Sequence, residues 1–259
     1  MRILITGGLG YLGSWLAKNL IEQGHYVHIF DWCKTHKLKT YSIARKELEK
    51  KCDLDIKDFS TLRVSELRGI NVVYHLAAIS GIKACEDNPV EAWENNFVKT
   101  TKLINKCAEA KVEKFIFAST AAVYGSTQKC IESTSTNPKN VYASTKARAE
   151  EAILREKYII PIVARFSNIY GMGYYDKPTV ISKFIDRALK GEDLEIYGSG
   201  QQVRLLPLED LPELLERADL DLPDALLGQT EAPAELIERL GVSIAVQTVV
   251  AGDDGPLAG

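Results

Sequence analysis

The sequence predicts an α/β protein built on a doubly wound parallel sheet. Short apolar strand patterns alternate with longer helical patterns, and a glycine-rich segment joins the first strand directly to the first helix. No repeat of about 20–50 residues and no low-complexity tract interrupts this order. Alternating strands and helices form βαβ units, whose parallel strands are covered by helices on both faces.

The first βα unit has the clearest pattern. Residues 2–6 form a short apolar run that predicts a buried strand. The helix predicted at residues 11–23 has apolar side chains at positions 12, 15, 16, 20 and 21, which is the spacing of one helical face. Gly24 ends this helix, and residues 26–30 predict a second strand that closes at Asp31.

The remaining elements continue the alternation. Residues 42–51 predict a charged helix, and a long helix from about Pro89 to Ala110 has its proline in the first turn. A loop rich in Ser, Thr, Asn and Pro covers residues 126–140. The later strands are predicted at residues 72–76, 114–118 and 161–165, and one more helix at residues 142–158.

Composition excludes several classes of protein. The 259 residues are 46% apolar with a formal net charge of −3, which gives no reason to expect a nucleic-acid or membrane partner. No apolar run approaches the ~20 residues of a membrane span, and the N-terminus lacks the pattern of a signal peptide. Five scattered cysteines without metal-ligand spacing indicate reduced thiols, so we expect a cytoplasmic protein without a metal site.

The charge is unevenly distributed along the chain. Residues 1–203 hold 29 basic and 23 acidic side chains, whereas residues 204–259 hold 3 basic and 12 acidic ones and lack Lys and aromatic residues. Apart from this break in composition, we expect a cofactor-binding domain with the catalytic residues at residues 1–170. Small substrate-domain elements are expected at residues 171–259, as a truncated or altered domain.

The acidic tail from about residue 204 has its own pattern. It predicts amphipathic helices at residues 209–219 and 232–240 and a strand at residues 242–250. Genuine divergence, a truncated or rearranged gene, and an engineered or fused tail all stay open as explanations.

The glycine-rich segment has the spacing of a dinucleotide-binding turn. Gly8, Gly10 and Gly13 give the pattern G-x-G-x-x-G between the first strand and the first helix. Such a turn needs no side chain where the chain reverses and where backbone N–H groups approach a pyrophosphate. The helix N-terminus adds partial positive charge for the anion. This context favours a Rossmann cofactor domain over the alternative, a merely tight βα turn. The predicted cofactor contacts are Gly7, Gly10, Tyr11, Leu12 and Gly13.

Asp31 ends the second strand, 18 residues after Gly13. A carboxylate at this position accepts hydrogen bonds from the adenosine ribose and repels a 2′-phosphate, so NAD is favoured over NADP. The alternative is a solvated loop carboxylate.

Tyr142 and Lys146 lie four residues apart, on one face of a predicted helix. A nearby ammonium favours the phenolate and lowers a tyrosine pKa from about 10, which makes Tyr142 a usable general base. Ser119 and Thr120 follow a strand, at the end where ligands bind in open parallel sheets. A surface Tyr–Lys pair is the alternative.

These residues resemble the extended short-chain dehydrogenases/reductases, in the branch of NAD-dependent nucleotide-sugar epimerases and dehydratases. The resemblance covers residues 1 to about 204. Its anchors are TGGLGYLG (6–13), DIKD (55–58), HLAA (75–78), NNFVKT (95–100), FIFASTAAVYG (115–125), YASTK (142–146) and RFSNIYG (165–171).

The resemblance implies a role for individual residues. Asp55 and Ile56 would flank the adenine, and Leu76, Ala77 and Ala78 would line the cofactor channel. Asn96 would steady the sheet and the active site. Tyr142 would be the catalytic base, Lys146 would bind the nicotinamide ribose, and Thr120 would be the catalytic hydroxyl beside Ser119. Asn168 would contact the nucleotide-sugar diphosphate and Arg204 a phosphate.

The residues after Thr120 separate the branches of this family. Related 4,6-dehydratases and decarboxylases carry an acidic residue within two positions of that hydroxyl, whereas this chain has Ala121 and Ala122, as the 4-epimerases do. The resemblance therefore implies a UDP-glucose/UDP-galactose type of 4-epimerase. Tyr142 would take the O4 proton while hydride passes from C4 to NAD, and hydride would return to the other face of a 4-keto sugar.

Two other functions stay open, namely an NAD-binding sensor or interaction module with little turnover, and a nucleotide-keto-sugar reductase. The resemblance also implies a homodimer through the helices at about 89–110 and 141–157, although these could instead be a face covered within one subunit. His75 is interpreted as a satisfied core histidine. Lys102, Lys106, Lys111 and Lys114 are interpreted as a solvated face.

Overall fold

A computed structural model gives the fold. It describes residues 1–32, 39–127, 130–170, 187, 190, 191, 193, 205–207 and 247–250. Within them, strands and helices alternate as the sequence predicts, and the α/β class with a parallel sheet is confirmed.

The main sheet has six parallel strands and one antiparallel edge strand. The parallel strands are β1 (Arg2–Thr6), β2 (Tyr26–Phe30), β3 (Asp53–Asp55), β4 (Val72–His75), β5 (Lys114–Thr120) and β6 (Ile160–Phe166). Two short strands, β7 (Asn168–Tyr170) and β8 (Leu205–Pro207), pair separately in parallel. The edge strand β9 (Gln247–Val250) pairs with β6, so the strand order is β3-β2-β1-β4-β5-β6-β9.

The helices follow the strands in chain order. They are α1 (Tyr11–Glu22), α2 (Lys39–Leu48), α3 (Val64–Leu67), α4 (Ile82–Asp87), α5 (Pro89–Trp93), α6 (Thr100–Glu109) and α7 (Val141–Leu154). A π-helical turn, Glu94–Lys99, joins α5 to α6 and completes the long helix predicted after Pro89. Two 3₁₀ turns cover Phe59–Thr61 and Ala121–Tyr124.

Apolar side chains point alternately to the two faces of the sheet and form two cores. In β1, Ile3 and Ile5 face the core under α1, whereas Leu4 faces the core under α6 and α7. This alternation is the period-2 geometry of a strand, and burial on both faces is what a doubly wound sheet requires. The carboxyl ends of the parallel strands consequently share one edge, where ligands bind in such sheets.

The structure departs from the sequence predictions in several places. The short strand β3 was not predicted, because three residues give no usable periodicity. The helix predicted to residue 158 ends at Leu154, and Tyr158 is 86% exposed. Lys106 was expected to be solvated, but its ammonium donates to the Ser60 carbonyl (2.9 Å) and the Leu62 carbonyl (2.5 Å).

Most of the predicted substrate domain lies outside the described residues, including the helices predicted at 209–219 and 232–240. Of the strand predicted at 242–250, only β9 is described. In the described ranges, no helix is both long and apolar enough to cross a membrane. The same ranges contain no group of three or more His, Cys, Asp or Glu side chains that could hold a metal ion.

Candidate cofactor and active site

The glycine turn after β1 is closed by backbone contacts. The Gly7 N–H donates to the Phe30 carbonyl at 2.8 Å, and the Gly10 N–H donates to the Gly7 carbonyl at 3.1 Å. Gly7 has φ +73°, and a Cβ there would lie 2.7 Å from the Ala77 nitrogen. Both the left-handed conformation and the close approach of two strand ends therefore require glycine at this position.

The same turn fixes the start of α1. A Cβ on Gly13 would lie 2.2 Å from the Gly7 carbonyl oxygen, so the first helical turn packs directly on the loop. Gly10 is the N-cap residue, and its carbonyl accepts from the Ser14 N–H at 2.8 Å. Tyr11 and Leu12 are half-buried against the core under α1. The helix N-terminus thus opens at the loop without intervening side chains, as a pyrophosphate site requires.

Asp31 lies beside this loop at the end of β2. Its carboxylate accepts from the Leu9 N–H at 2.9 Å, and the residue is only 7% exposed. Burial raises the pKa of Asp31 to about 6, although the Leu9 hydrogen bond opposes this. The buried carboxylate at the predicted ribose position does not fit the alternative of a solvated loop residue.

Asp55 and Ile56 adjoin Asp31 through the backbone, since the Asp31 N–H donates to the Asp55 carbonyl at 3.1 Å. The Asp55 carboxylate already binds Lys57 Nζ at 2.7 Å and His28 Nε2 at 3.0 Å. The hydrogen bond from Lys57 contributes most to lowering the pKa of Asp55. Ile56 packs on the core under α1. These two residues therefore lie beside Asp31, and their contact with the adenine stays a prediction.

The residues after β4 form a wall beside the glycine turn. Leu76 and Ala77 bond to Thr6 through their N–H groups, at 3.1 Å to the Thr6 carbonyl and 3.3 Å to Thr6 Oγ1. Ala78 follows them and is half-buried. This segment passes against Gly7, which is the arrangement expected of a cofactor channel lining.

His75 lies beneath that wall as a satisfied core histidine, as the sequence predicts. Its Nδ1 is 2.6 Å from Thr6 Oγ1 and its Nε2 is 2.8 Å from Thr100 Oγ1. Burial holds the pKa of His75 well below its ordinary value, so the ring is neutral.

Asn96 holds the loop after β4 against α7. Its Oδ1 accepts from the Ile79 N–H at 2.8 Å, and its Nδ2 donates to the Ile79 carbonyl at 3.0 Å and to Thr145 Oγ1 at 3.3 Å. Asn96 lies in the π-helical turn, which places its amide toward this loop. Its amide thus bonds to protein groups that frame the site.

Thr120 and Tyr142 meet at the carboxyl end of β5, where the Thr120 hydroxyl lies close enough to the Tyr142 phenol to lower its pKa slightly. Thr120 Oγ1 also accepts from the Ala122 N–H at 3.2 Å and so caps the 3₁₀ turn. Lys146 lies one helical turn beyond Tyr142, and its ammonium donates to the Ala118 carbonyl at 2.7 Å. The predicted catalytic residues are therefore brought together at the strand end.

The ionisation of this cluster differs from the sequence expectation. Burial raises the pKa of Tyr142 to about 12, with a smaller contribution from Cys85 and an opposing one from the Thr120 hydrogen bond. Burial lowers the pKa of Lys146 to about 7, although Glu150 opposes this. The net effect of the surroundings is thus to raise the tyrosine pKa, whereas the sequence predicted that Lys146 would lower it. The Lys146 ammonium is directed to the Ala118 carbonyl and over the Phe117 ring, 4.5 Å from the centroid.

Two further predicted positions are only partly visible. Asn168 begins β7 and its side chain is not described, and Arg204 lies outside the described residues. Ser119, which the sequence places at the ligand-binding end of the strand as a cofactor and substrate contact, donates its hydroxyl to Glu150, and its contact with a ligand stays a prediction. Strand alternation is the reason for the bond to Glu150, because Ser119 points to the α7 face of the sheet.

Sequence reasoning missed three polar residues near this site. Glu150 and Arg165 form a buried ion pair, with Arg165 Nη2 at 2.7 Å from Glu150 Oε2. The spacing of Glu150, four residues after Lys146, was an available signal. Ser167 follows β6, and its Oγ is buried without a hydrogen-bond partner among the described residues. An unsatisfied buried hydroxyl at a strand end is suited to a polar ligand.

The residues present fit an NAD cofactor. The Gly7 and Gly13 positions leave a side-chain-free loop at a helix N-terminus, and Asp31 offers a carboxylate beside it. Tyr142 and Lys146 lie at the other end, next to β5.

Comparison with known proteins agrees with this arrangement. The sequence model of the NAD dependent epimerase/dehydratase family matches residues 3–206. A UDP-N-acetyl-alpha-D-glucosaminuronate decarboxylase from Bacillus cytotoxicus is 35% identical, over 78% of this chain and 66% of that protein. The human dTDP-D-glucose 4,6-dehydratase is 35% identical, over 78% of this chain and 61% of that protein. An uncharacterized UDP-glucose epimerase of Bacillus subtilis is 31% identical, over 79% and 67%. The match thus spans about two thirds or less of these relatives.

Solved structures show the same fold. UDP-glucose 4-epimerase from Thermotoga maritima, with UDP-glucose, has a TM-score of 0.71 and 26% identity, over 82% of this chain and 71% of that one. MoeE5 in complex with UDP-glucuronic acid and NAD has a TM-score of 0.72 and 28% identity, over 86% and 74%. The glycine turn, the Thr120–Tyr142–Lys146 cluster and these matches lead to one conclusion. The chain belongs to the NAD-dependent epimerase/dehydratase family.

Proposed function

We propose that this protein is an NAD-dependent nucleotide-sugar 4-epimerase. The observation that carries the proposal is the grouping of Thr120, Tyr142 and Lys146 at the end of β5, where Thr120 caps a turn that begins with two alanines. This arrangement supplies a proton acceptor for a sugar hydroxyl and no acid next to it for eliminating water.

The proton steps fall to Tyr142 and Thr120. As a phenolate, Tyr142 removes the proton of the sugar O4 hydroxyl, and as a phenol it returns a proton to the same oxygen. Thr120 Oγ1 holds that oxygen at the tyrosine through its own hydroxyl. NAD supplies, when bound, a reversible two-electron acceptor for the C4–H bond and a positive charge that favours the phenolate.

Ala121 and Ala122 separate this proposal from dehydration. In the related dehydratases and decarboxylases an acidic residue stands within two positions of the catalytic hydroxyl. Here the 3₁₀ turn Ala121–Tyr124 begins at that point, and the nearby Glu150 carboxylate is bound by Arg165. Relatives named dehydratases and decarboxylases are nevertheless as similar to this chain as those named epimerases. The reaction must therefore be decided by its product.

The proposed substrate is a nucleoside-diphosphate hexose, with UDP-glucose/UDP-galactose as the first pair to test. Relatives named as acting on UDP-sugars and structures holding UDP-glucose or UDP-glucuronic acid support this class. Asn168 and Arg204 are the proposed contacts to its phosphates, and Ser167 offers a further hydroxyl at the same strand end.

A product assay tests the proposal. Purified protein is incubated with NAD and, separately, UDP-glucose, UDP-galactose, UDP-glucuronic acid and dTDP-glucose. An epimerase gives a product of unchanged mass with inverted C4 and no net change in NAD. A dehydratase product loses one water, a decarboxylase product loses carbon dioxide, and a reductase consumes the reduced cofactor.

Two results would overturn the proposal. One is a product other than the C4 epimer, and the other is the absence of turnover with every sugar while NAD binding is intact. The second result would favour the sensor or interaction module. Tyr142→Phe is the control for contaminating activity, because the purified variant must lose the reaction.

We also propose a homodimer formed through the outer faces of α5, α6 and α7. In the described part of the chain, α6 and α7 pack on the sheet with one face and leave the other to solvent. Light scattering on the purified protein tests this, and a monomeric mass at micromolar concentration would refute it.

A further inference from the structure

The end of β5 contacts α7 at three successive positions. Three consecutive β5 residues each contact one of three α7 residues that are spaced by four. The pairs are Ala118 with Lys146, Ser119 with Glu150, and Thr120 with Tyr142. Residues spaced by four share one helix face, so all three contacts join one face of α7 to the end of β5, although their order along the helix differs from that along the strand. Lys146 and the Thr120–Tyr142 pair are the proposed catalytic residues, whereas the pair at the middle of the three strand positions, Ser119–Glu150, has no role in the chemistry.

The middle pair is tied to a third element. Arg165 on β6 is paired in register with Ser119 and donates Nε to both Glu150 oxygens at 3.1 Å and Nη2 to Oε2 at 2.7 Å. Glu150 is 2% exposed and Arg165 is 6% exposed. The carboxylate therefore accepts from β5 and β6 at once and fixes α7 to both strands.

Arg165 extends the connection to the loop that follows β5. Its Nη1 donates to the Tyr124 hydroxyl at 2.7 Å and to the Glu132 carbonyl at 3.3 Å. The Tyr124 hydroxyl in turn donates to the Ile131 carbonyl at 3.1 Å. One buried ion pair thus joins two strands, a helix and a loop around the Thr120–Tyr142 contact.

We expect the Glu150–Arg165 pair to fix the relative placement of α7, β5 and β6 rather than to add much net stability. Removing two charges from water costs about as much as their mutual attraction returns, so buried pairs often add little net stability. Their directional bonds, however, permit only one relative placement of the elements that carry them. A matched comparison is available on the same helix, because Arg148 and Glu151 form an exposed pair.

We infer that Glu150 and Arg165 are positioning residues that set the register between α7 and the end of β5. Through that register they hold the Tyr142 hydroxyl against Thr120. This inference rests on the proposed catalytic role of Tyr142 and Thr120, and it adds residues that touch neither substrate nor cofactor.

The first test compares the same substitution at neighbouring positions. Glu150→Gln keeps the shape of the side chain but places an NH₂ group against the Arg165 donors. Glu151→Gln makes the same change at a side chain that is exposed within one subunit, and it serves as the control once light scattering shows that its oligomeric state equals that of the wild type. Hydrogen exchange of the NAD-bound protein is measured at residues 119–124 and 130–134, with β1 and β4 as reference strands.

Glu150→Gln is expected to raise exchange in those two segments by about tenfold or more and to leave the reference strands unchanged. Glu151→Gln is expected to match the wild type throughout. Equal exchange in all three proteins, or a rise that includes the reference strands, would refute a local positioning role. This readout does not depend on turnover, so it holds whether or not the protein is an epimerase.

The second test uses kinetics and a conservative rescue. Ser119→Ala removes the strand partner of Glu150, and Ser119→Thr restores a hydroxyl. If the protein turns over, Ser119→Ala and Glu150→Gln should each lower kcat by about ten- to a hundredfold while KM stays within about twofold. Ser119→Thr should recover most of kcat. A rise in KM at unchanged kcat would overturn the inference, because it would indicate a substrate contact. If Glu150→Gln fails to fold, Ser119→Ala and Ser119→Thr test the positioning role in its place, by hydrogen exchange and by kinetics.

Discussion

At the end of the site formed by β1 and β2, the protein presents a closely packed backbone loop. Gly7 and Gly13 permit this packing because a Cβ at either position would collide with neighbouring backbone. At the end formed by β5 and α7, the protein presents ionisable groups, of which Lys146 and Glu150 are buried and Tyr142 is half-buried. Tyr142 and Lys146 have pKa values displaced in opposite directions by burial, and the Glu150–Arg165 pair lies directly behind them.

The contrast shows two ways of preparing a binding site. A loop of N–H groups at a helix N-terminus needs only the correct backbone path, and glycine supplies it locally. Buried charged groups need partners from distant parts of the chain, since each is unstable without them. Substitutions at the first end should therefore act on cofactor affinity and folding, and substitutions at the second end on the rate of reaction.

The largest effect is expected from Tyr142→Phe. It removes the proposed proton acceptor while keeping the ring, so the epimerisation rate should fall by about 10²–10⁴-fold. NAD affinity, measured by calorimetry, should change by no more than about tenfold, because a lost hydroxyl contact is worth about 0.5–1.5 kcal/mol. Equal losses of rate and of NAD binding would erase the proposed difference between the two ends.

Gly7→Ala should act mainly at the other end. The added Cβ meets the Ala77 backbone and the residue has φ +73°, so we expect a loss of about 3 kcal/mol in the free energy of unfolding. NAD affinity should weaken as well. Gly24→Ala is the control, since Gly24 has φ +82° but open space around its Cβ position. That variant should lose only about 1–2 kcal/mol, from backbone strain alone. Similar urea midpoints for the two variants would show that the close approach at Gly7 is unimportant.

Asp31 should make both stability and NAD affinity depend on pH at the end of the site formed by β1 and β2. Burial raises its folded pKa to about 6, so the protonated form stabilises the ligand-free protein. That contribution is complete below about pH 4 and is lost as the pH rises through about 6. Ribose binding needs the ionised carboxylate, so NAD affinity should be about tenfold weaker at pH 5 than at pH 7. Calorimetry at pH 5 and at pH 7 measures the two NAD affinities. Asp31→Asn should bind NAD weakly at both, and a pH dependence that survives in the variant would assign the titration to another group.

The smallest effect is expected at the exposed pair on α7. Arg148 and Glu151 are 56% and 45% exposed, so Arg148→Ala should change the free energy of unfolding by less than about 0.5 kcal/mol. Truncation of Arg165 on β6 should lower the free energy of unfolding by several times as much, because it leaves the Glu150 carboxylate buried and unpaired. Thermal unfolding of Arg148→Ala and Arg165→Met compares them directly. Equal shifts in Tm would show that burial of the second pair has no energetic consequence.

Much of the fold and one end of the site follow from local sequence patterns. The strands from β1 to β6 other than β3, the glycine turn and the position of Asp31 all depend on residues within a few positions of each other. The pairing of Tyr142 with Lys146 on one face also follows from helical periodicity. Such rules are reliable because backbone conformation and side-chain direction repeat with a fixed period.

The orientation and ionisation of the residues at the proposed catalytic end could be determined only from the tertiary structure. The sequence does not state that Ser119 points to α7, because the direction of a strand side chain depends on which face each helix covers. Nor does it pair Glu150 with Arg165, whose bonds exist only once β6 lies next to β5. The pKa values of Tyr142 and Lys146 are set by burial, which is a property of the assembled core and not of their spacing. The sequence alone thus determined which residues carry the proposed chemistry, whereas the packing of α7 on β5 and β6 decided their orientation and charge.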